Sequence, residues 1–139
     1  MELTSIGEYV YMLSTGFQTV HANNTISPEY KRFIYQSTIN KINKIIMDGI
    51  AAIIPDSKPF QVQCEKLAEN EIVFSFSGVV ISVHKNGNEF EYVVKEYDTC
   101  KFEVDFVPSQ NYTSECIRAL KSIFDIKLLN PELVYCHAC

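Results

Sequence analysis

The hydrophobic period of this chain changes near Phe60, from about 3.6 residues to about 2, which separates a helix-forming first part from a sheet-forming stretch. Before the change, Ile6, Tyr9, Val10, Leu13, Phe17 and Val20 recur at helical spacing. They follow Ser5-Ile6-Gly7-Glu8, a capping-box pattern in which Ser5 can accept from the backbone N–H of Glu8. The spacing predicts a helix over about 6–21, with Gly7 and Gly16 as its weak points. Ser27-Pro28-Glu29 supplies a second start: an N-cap, a proline at the first helical position and an acid at the positive end of the dipole. Tyr35, Ile39, Ile42, Ile46, Ile50 and Ile53 then form one stripe, and Pro55 stops it, so a long second helix is expected over about 28–54.

After the change the chain alternates. Phe60, Val62 and Cys64 alternate with polar residues, as do Ile72, Phe74 and Phe76 with Val73 and Ser75, predicting strands over about 60–66 and 71–77. Strands over about 79–85 and 88–95 flank Asn86-Gly87, a dipeptide suited to a type I′ turn. Pairing Lys85 with Asn88 sets Val83, Ile81 and Val79 opposite Phe90, Tyr92 and Val94, all on one face, and sets His84 opposite Glu89. A last strand over about 100–107 points Phe102, Val104 and Phe106 inward. Asn111 or Thr113 then caps a third helix over about 113–129, with Ile117, Leu120, Phe124 and Leu128 as its stripe and Asn130-Pro131 as its end. The order predicts one α+β domain over residues 1–139: two N-terminal helices, an antiparallel meander of four or five strands and a C-terminal helix, with the helices packed on one sheet face.

Composition narrows the function classes. The 139 residues carry 17 acids against 12 bases, a net charge of −5, which argues against nucleic-acid binding by phosphate neutralisation. Residues 60–107 hold nine acids and four bases, whereas residues 1–59 hold five of each and 108–139 three of each, so the excess lies on the sheet. No apolar stretch is long enough for a membrane span and Met1 to Val20 lacks a basic leader region, so a cytoplasmic protein with no membrane partner is expected. Fifteen Ile against seven Leu, and ten Lys among the twelve bases, follow AT-rich codons and point to a low-GC bacterium or its phage.

The alternation turns Glu89 and Glu91 of one strand, and Glu103 and Asp105 of the next, to the outer face. Four like charges across paired strands destabilise one another, so a basic protein surface that neutralises them is the expected partner; the plainer reading is a solvated face kept charged for solubility. The five cysteines are odd in number and fall mostly at apolar positions, which suits reduced core thiols. Cys136-His137-Ala138-Cys139 supplies two thiolates, half of the four ligands a structural zinc takes, and no second Cys-x-x-Cys exists; no metal or cofactor is assigned. Cys64, Cys100 and Cys116 with His21 or His84 are the raw material of a thiol enzyme, but no spacing pairs any two of them, and no phosphate loop, nucleophile elbow or zinc-protease helix is present. Aromatic residues lie on opposite sides of both N-terminal helices, Tyr9 against Tyr11 and Tyr30 against Phe33; a single domain can bury both sides by sandwiching a helix, and a homodimer is the other outlet. The reading is a non-enzymatic interaction protein, such as a small inhibitor, adaptor or chaperone-like factor. The alternative is a small-ligand binder with a pocket between sheet and helices, lined by Phe74, Phe76, Tyr92, Phe102 and Phe106.

Overall fold

A computed structural model describes residues 3–53, 62–76, 78–97 and 110–129. The elements run β1 (Leu3–Ser5), α1 (Ile6–Ala22), α2 (Pro28–Ile53), β2 (Val62–Ala68), β3 (Glu71–Phe76), β4 (Val79–Asn86), β5 (Glu89–Tyr97), α3 (Gln110–Asp125) and β6 (Lys127–Leu129). Strands β2 to β5 form a four-stranded antiparallel sheet in sequence order, and the helices pack against it, as the α+β pattern predicts. The predicted strand over 100–107 and the Cys136–Cys139 tail lie outside the described residues.

The caps expected from the sequence form. Ser5 Oγ accepts from Glu8 N at 3.1 Å and Ser27 Oγ accepts from Tyr30 N at 3.2 Å. Ile72, Phe74, Phe76, Val79, Ile81 and Val83 face inward with little or no exposed surface, and Ile6, Val10, Ile42, Ile46, Leu120 and Phe124 of the helices meet them. Phe124 is the centre of this packing. Its ring stands edge-on to Phe74 at 5.5 Å, Phe90 at 5.5 Å and Tyr92 at 6.0 Å, so one side chain of α3 joins β3 to β5.

Two expectations are corrected. The β4–β5 register pairs Asn86 with Glu89, Val83 with Tyr92 and Ile81 with Val94, two residues away from the predicted pairing. Because side chains alternate with period two, that shift leaves every residue on its predicted face, and only the turn can tell the two registers apart. The loop is Gly87-Asn88, and the positive φ of 64° falls on Gly87 while Asn88 has none, the pattern of a type II′ turn rather than I′. Consequently His84 pairs with Glu91, not Glu89.

The third helix ends at Asp125 rather than near 129. Residues 127–129 instead form β6, which pairs antiparallel with β1 and so ties the start of the chain to the segment after α3; Ile6 N also donates to Ile126 O at 2.8 Å. A three-residue strand has no period of its own, and its partner is at the far end of the sequence.

Finally, Tyr9 and Tyr11 are both buried, although they point to different sides of α1. The helix is sandwiched: the Tyr11 hydroxyl donates to the Val83 carbonyl of β4, and its ring lies 5.3 Å from that of Phe90. Tyr30 and Phe33 are exposed, stacked on one another at 6.2 Å.

The sheet edge at β2 is covered by α2. Asn43 Oδ1 accepts from Cys64 N at 2.7 Å and the Tyr35 hydroxyl accepts from Leu67 N at 3.4 Å, so side chains of a helix satisfy strand N–H groups.

Candidate functional site

The outer face of the sheet is built from the residues the alternation turns away from the helices: Glu71, Val73 and Ser75 on β3, Val80, Ser82 and His84 on β4, and Glu91 and Val93 on β5. Two β-bulges shape it. The pairing shifts between Cys64 and Lys66 on β2, and between Val80 and Ile81 on β4, where Lys95 of β5 is left over. The extra residues at the bulges, Glu65 and Lys95, both reach over this face: Ser75 Oγ donates to Glu65 Oε1 at 2.5 Å and Lys95 Nζ to Glu71 Oε1 at 2.9 Å.

Glu71 is the hub. Besides Lys95, its other oxygen accepts from Ser82 Oγ at 2.8 Å and lies 3.5 Å from His84 Nε2. The hydrogen bond from Lys95, then that from Ser82, holds its carboxyl below the usual range. His84 sits 3.0 Å from Ser82 Oγ through Nε2 and 3.2 Å from the Asn70 carbonyl through Nδ1. A carbonyl only accepts, so Nδ1 carries a proton in this arrangement.

A serine, a histidine and an acid in one cluster invite comparison with a nucleophilic triad, but the order of contacts is different. The acid of a triad orients the far nitrogen of the imidazole, leaving the serine proton for the near one. Here Asn70 takes the far nitrogen and Glu71 takes the serine hydroxyl directly. The cluster therefore spends its hydrogen bonds on knitting β3, β4 and β5 together. Parity alone would have put Glu71, Ser82 and His84 on one face; what the sequence lacks is the β3–β4 register that sets Glu71 opposite His84.

Of the four acids singled out by sequence, Glu91 and Glu89 are exposed on β5. Glu91 Oε1 accepts from Asn86 Nδ2 at 3.0 Å. Glu89, at the hairpin end, borders a groove shared with Glu8, Asp125 and Lys121. Glu103 and Asp105 lie outside the described residues. Between Glu91 and Lys95, Val93 is 50% exposed, an apolar spot within a charged surround.

Among the described residues, the thiols give no second centre. Cys64 and Cys116 are buried, and desolvation pushes their pKa values up to about 12 and about 11, which disfavours the nucleophilic thiolate. Phe74 and Phe76, named as lining for a pocket, have no exposed surface and belong to the packed core. Among the described residues, no group of three or more His, Cys, Asp or Glu could hold a metal ion, and no helix is long and apolar enough to cross a membrane.

No family model matches the chain, and no curated protein or solved structure matches it significantly.

Proposed function

We propose that this chain is a non-enzymatic interaction protein, a small inhibitor, adaptor or chaperone-like factor of a low-GC bacterium or its phage, acting in the cytoplasm. It uses the acidic outer face of its sheet to bind a partner protein through a basic surface. The observation that carries this reading is the pairing of exposed Glu91 with half-exposed Val93 on β5, over strands cross-linked by the Glu71 cluster. An apolar spot flanked by Glu91 and Lys95 on a cross-linked sheet face has the anatomy of a protein interface, and the acids supply orientation and encounter rate. Glu89 extends the surface toward the hairpin; Glu103 and Asp105, expected on the same face from the sequence alternation, lie outside the described residues. A homodimer, with the stacked Tyr30 and Phe33 of α2 meeting a second copy, is compatible with this use because those rings lie on a helix rather than on the sheet.

The test is charge reversal. The Glu89→Lys/Glu91→Lys variant is expected to keep its circular dichroism and melting temperature and to lose partner capture from host lysate. Capture by the native chain is expected to weaken between 0.1 and 0.5 M salt, roughly the range over which screening shortens to a few ångströms. Capture that survives both treatments would refute the proposal.

A further inference from the structure

The end of α1, the first turns of α2 and the β2–β3 turn surround a cleft of about 520 Å³ at the helix side of the molecule, away from the outer sheet face. Small-molecule sites run from about 300 to 1,000 Å³, so the space suits one organic molecule. One wall is apolar: Phe17, Tyr35 and Leu67, with the Phe17 and Tyr35 rings 5.1 Å apart. The other wall is rich in donors. Lys31 Nζ is engaged with the His21 carbonyl at 2.8 Å. Arg32, by contrast, borders the cleft with no hydrogen-bond or ion-pair partner among the described residues, and Gln18 beside it has a water-shielded Nε2 that donates to nothing. Glu69 of the β2–β3 turn is the acid of the described lining, and no ion pair joins it to either cation.

These features select a ligand class. A guanidinium offers a planar fork of N–H donors that matches the oxygens of a carboxylate, sulfonate or phosphate, and a shielded amide without a partner is a standing penalty that an acceptor can relieve. The apolar wall needs a ring or chain to cover it. We infer that the cleft binds an amphipathic organic anion, its apolar body against Phe17, Tyr35 and Leu67 and its acid group on Arg32. A turn of the Gln18 amide adds a second donor. This site is independent of the sheet-face interaction and does not rest on it.

A matched pair of dyes tests the inference: 8-anilinonaphthalene-1-sulfonate, and neutral N-phenyl-1-naphthylamine, which has the same ring system without the sulfonate. The native chain is expected to bind one sulfonate dye per chain, at least about tenfold more tightly than the neutral dye, the worth of one charge-assisted hydrogen-bonded contact. In Arg32→Ala, an exposed position whose loss leaves the melting temperature unchanged, that preference is expected to vanish while the neutral dye binds as before. Amide resonances of Phe17 and Leu67 are expected to shift on titration. Equal affinity for the two dyes, a preference that survives Arg32→Ala, or shifts confined to another surface would each overturn the inference.

Discussion

The ring of Phe124 occupies the space that a side chain on Gly7 would need: a Cβ built there lies 2.6 Å from Phe124 Cδ2. The same Cβ would lie 2.9 Å from Phe90 Cε2, so the first turn of α1 approaches α3 and β5 at the one position without a side chain. A residue that weakens an isolated helix is thus what lets this helix join the core. The aromatic cluster around Phe124 depends on it, and through that cluster so does the seating of the sheet on the helices.

Gly7→Ala is therefore expected to destabilise the protein by about 1–3 kcal/mol despite its better helix propensity, because overpacking outweighs a gain of at most about 1 kcal/mol. Gly16→Ala, on the same helix, should do the reverse. A Cβ there meets nothing within 4 Å, so propensity acts alone and stability should rise by roughly 0.5–1 kcal/mol. Urea unfolding of the two variants reads both signs.

Asn43→Ala leaves the Cys64 backbone N–H without its acceptor at the α2–β2 junction. A buried donor left unpaired costs about 1–3 kcal/mol, and the loss should be local. Hydrogen exchange is expected to accelerate at Cys64 more than at the centre of β4.

Glu71 links pH to stability. Its carboxyl titrates below the ordinary value of 4.5, so its contribution is complete above that value and is lost as pH falls through the lower folded value. Glu71→Gln should therefore be less stable than the native chain at pH 7, with the difference shrinking in acid. Lys95 is 46% exposed, so the effect should stay within about 1 kcal/mol and diminish with salt. Denaturation curves at pH 7 and pH 3 give the comparison. His84, Ser82 and Lys95 face Glu71 from β4 and β5, and His84→Gln separates the histidine's share.

Cys64 and Cys116 are expected to resist alkylation at pH 8 in the folded protein and to react on unfolding, since burial raises both thiols far above that pH. Peptide mapping after iodoacetamide treatment, with and without urea, checks it. Reaction of either thiol at the rate of a free cysteine would show that the core opens around it.

Local pattern alone determined the helix starts and the facing of the strands. The Ser5 and Ser27 caps, the alternation of Ile72, Phe74 and Phe76, and the inward set Val79, Ile81 and Val83 depend on neighbours within a turn of helix or two residues of strand, and each formed where the residues predict. The outward placement of Glu91 follows from the same alternation. Tertiary structure decided whatever depends on residues distant in sequence. A two-residue slip of β4 against β5 preserves every facing, so the register waited on the φ of Gly87. The pairing of Leu3–Ser5 with Lys127–Leu129 needs both ends of the chain at once. The hub at Glu71 exists because the β3–β4 register sets it opposite His84 and a bulge frees Lys95 to reach it. Side-chain facing is a local property of a pleated or helical backbone, whereas register and cleft are set by what packs across the core, and one-dimensional periodicity carries no record of that.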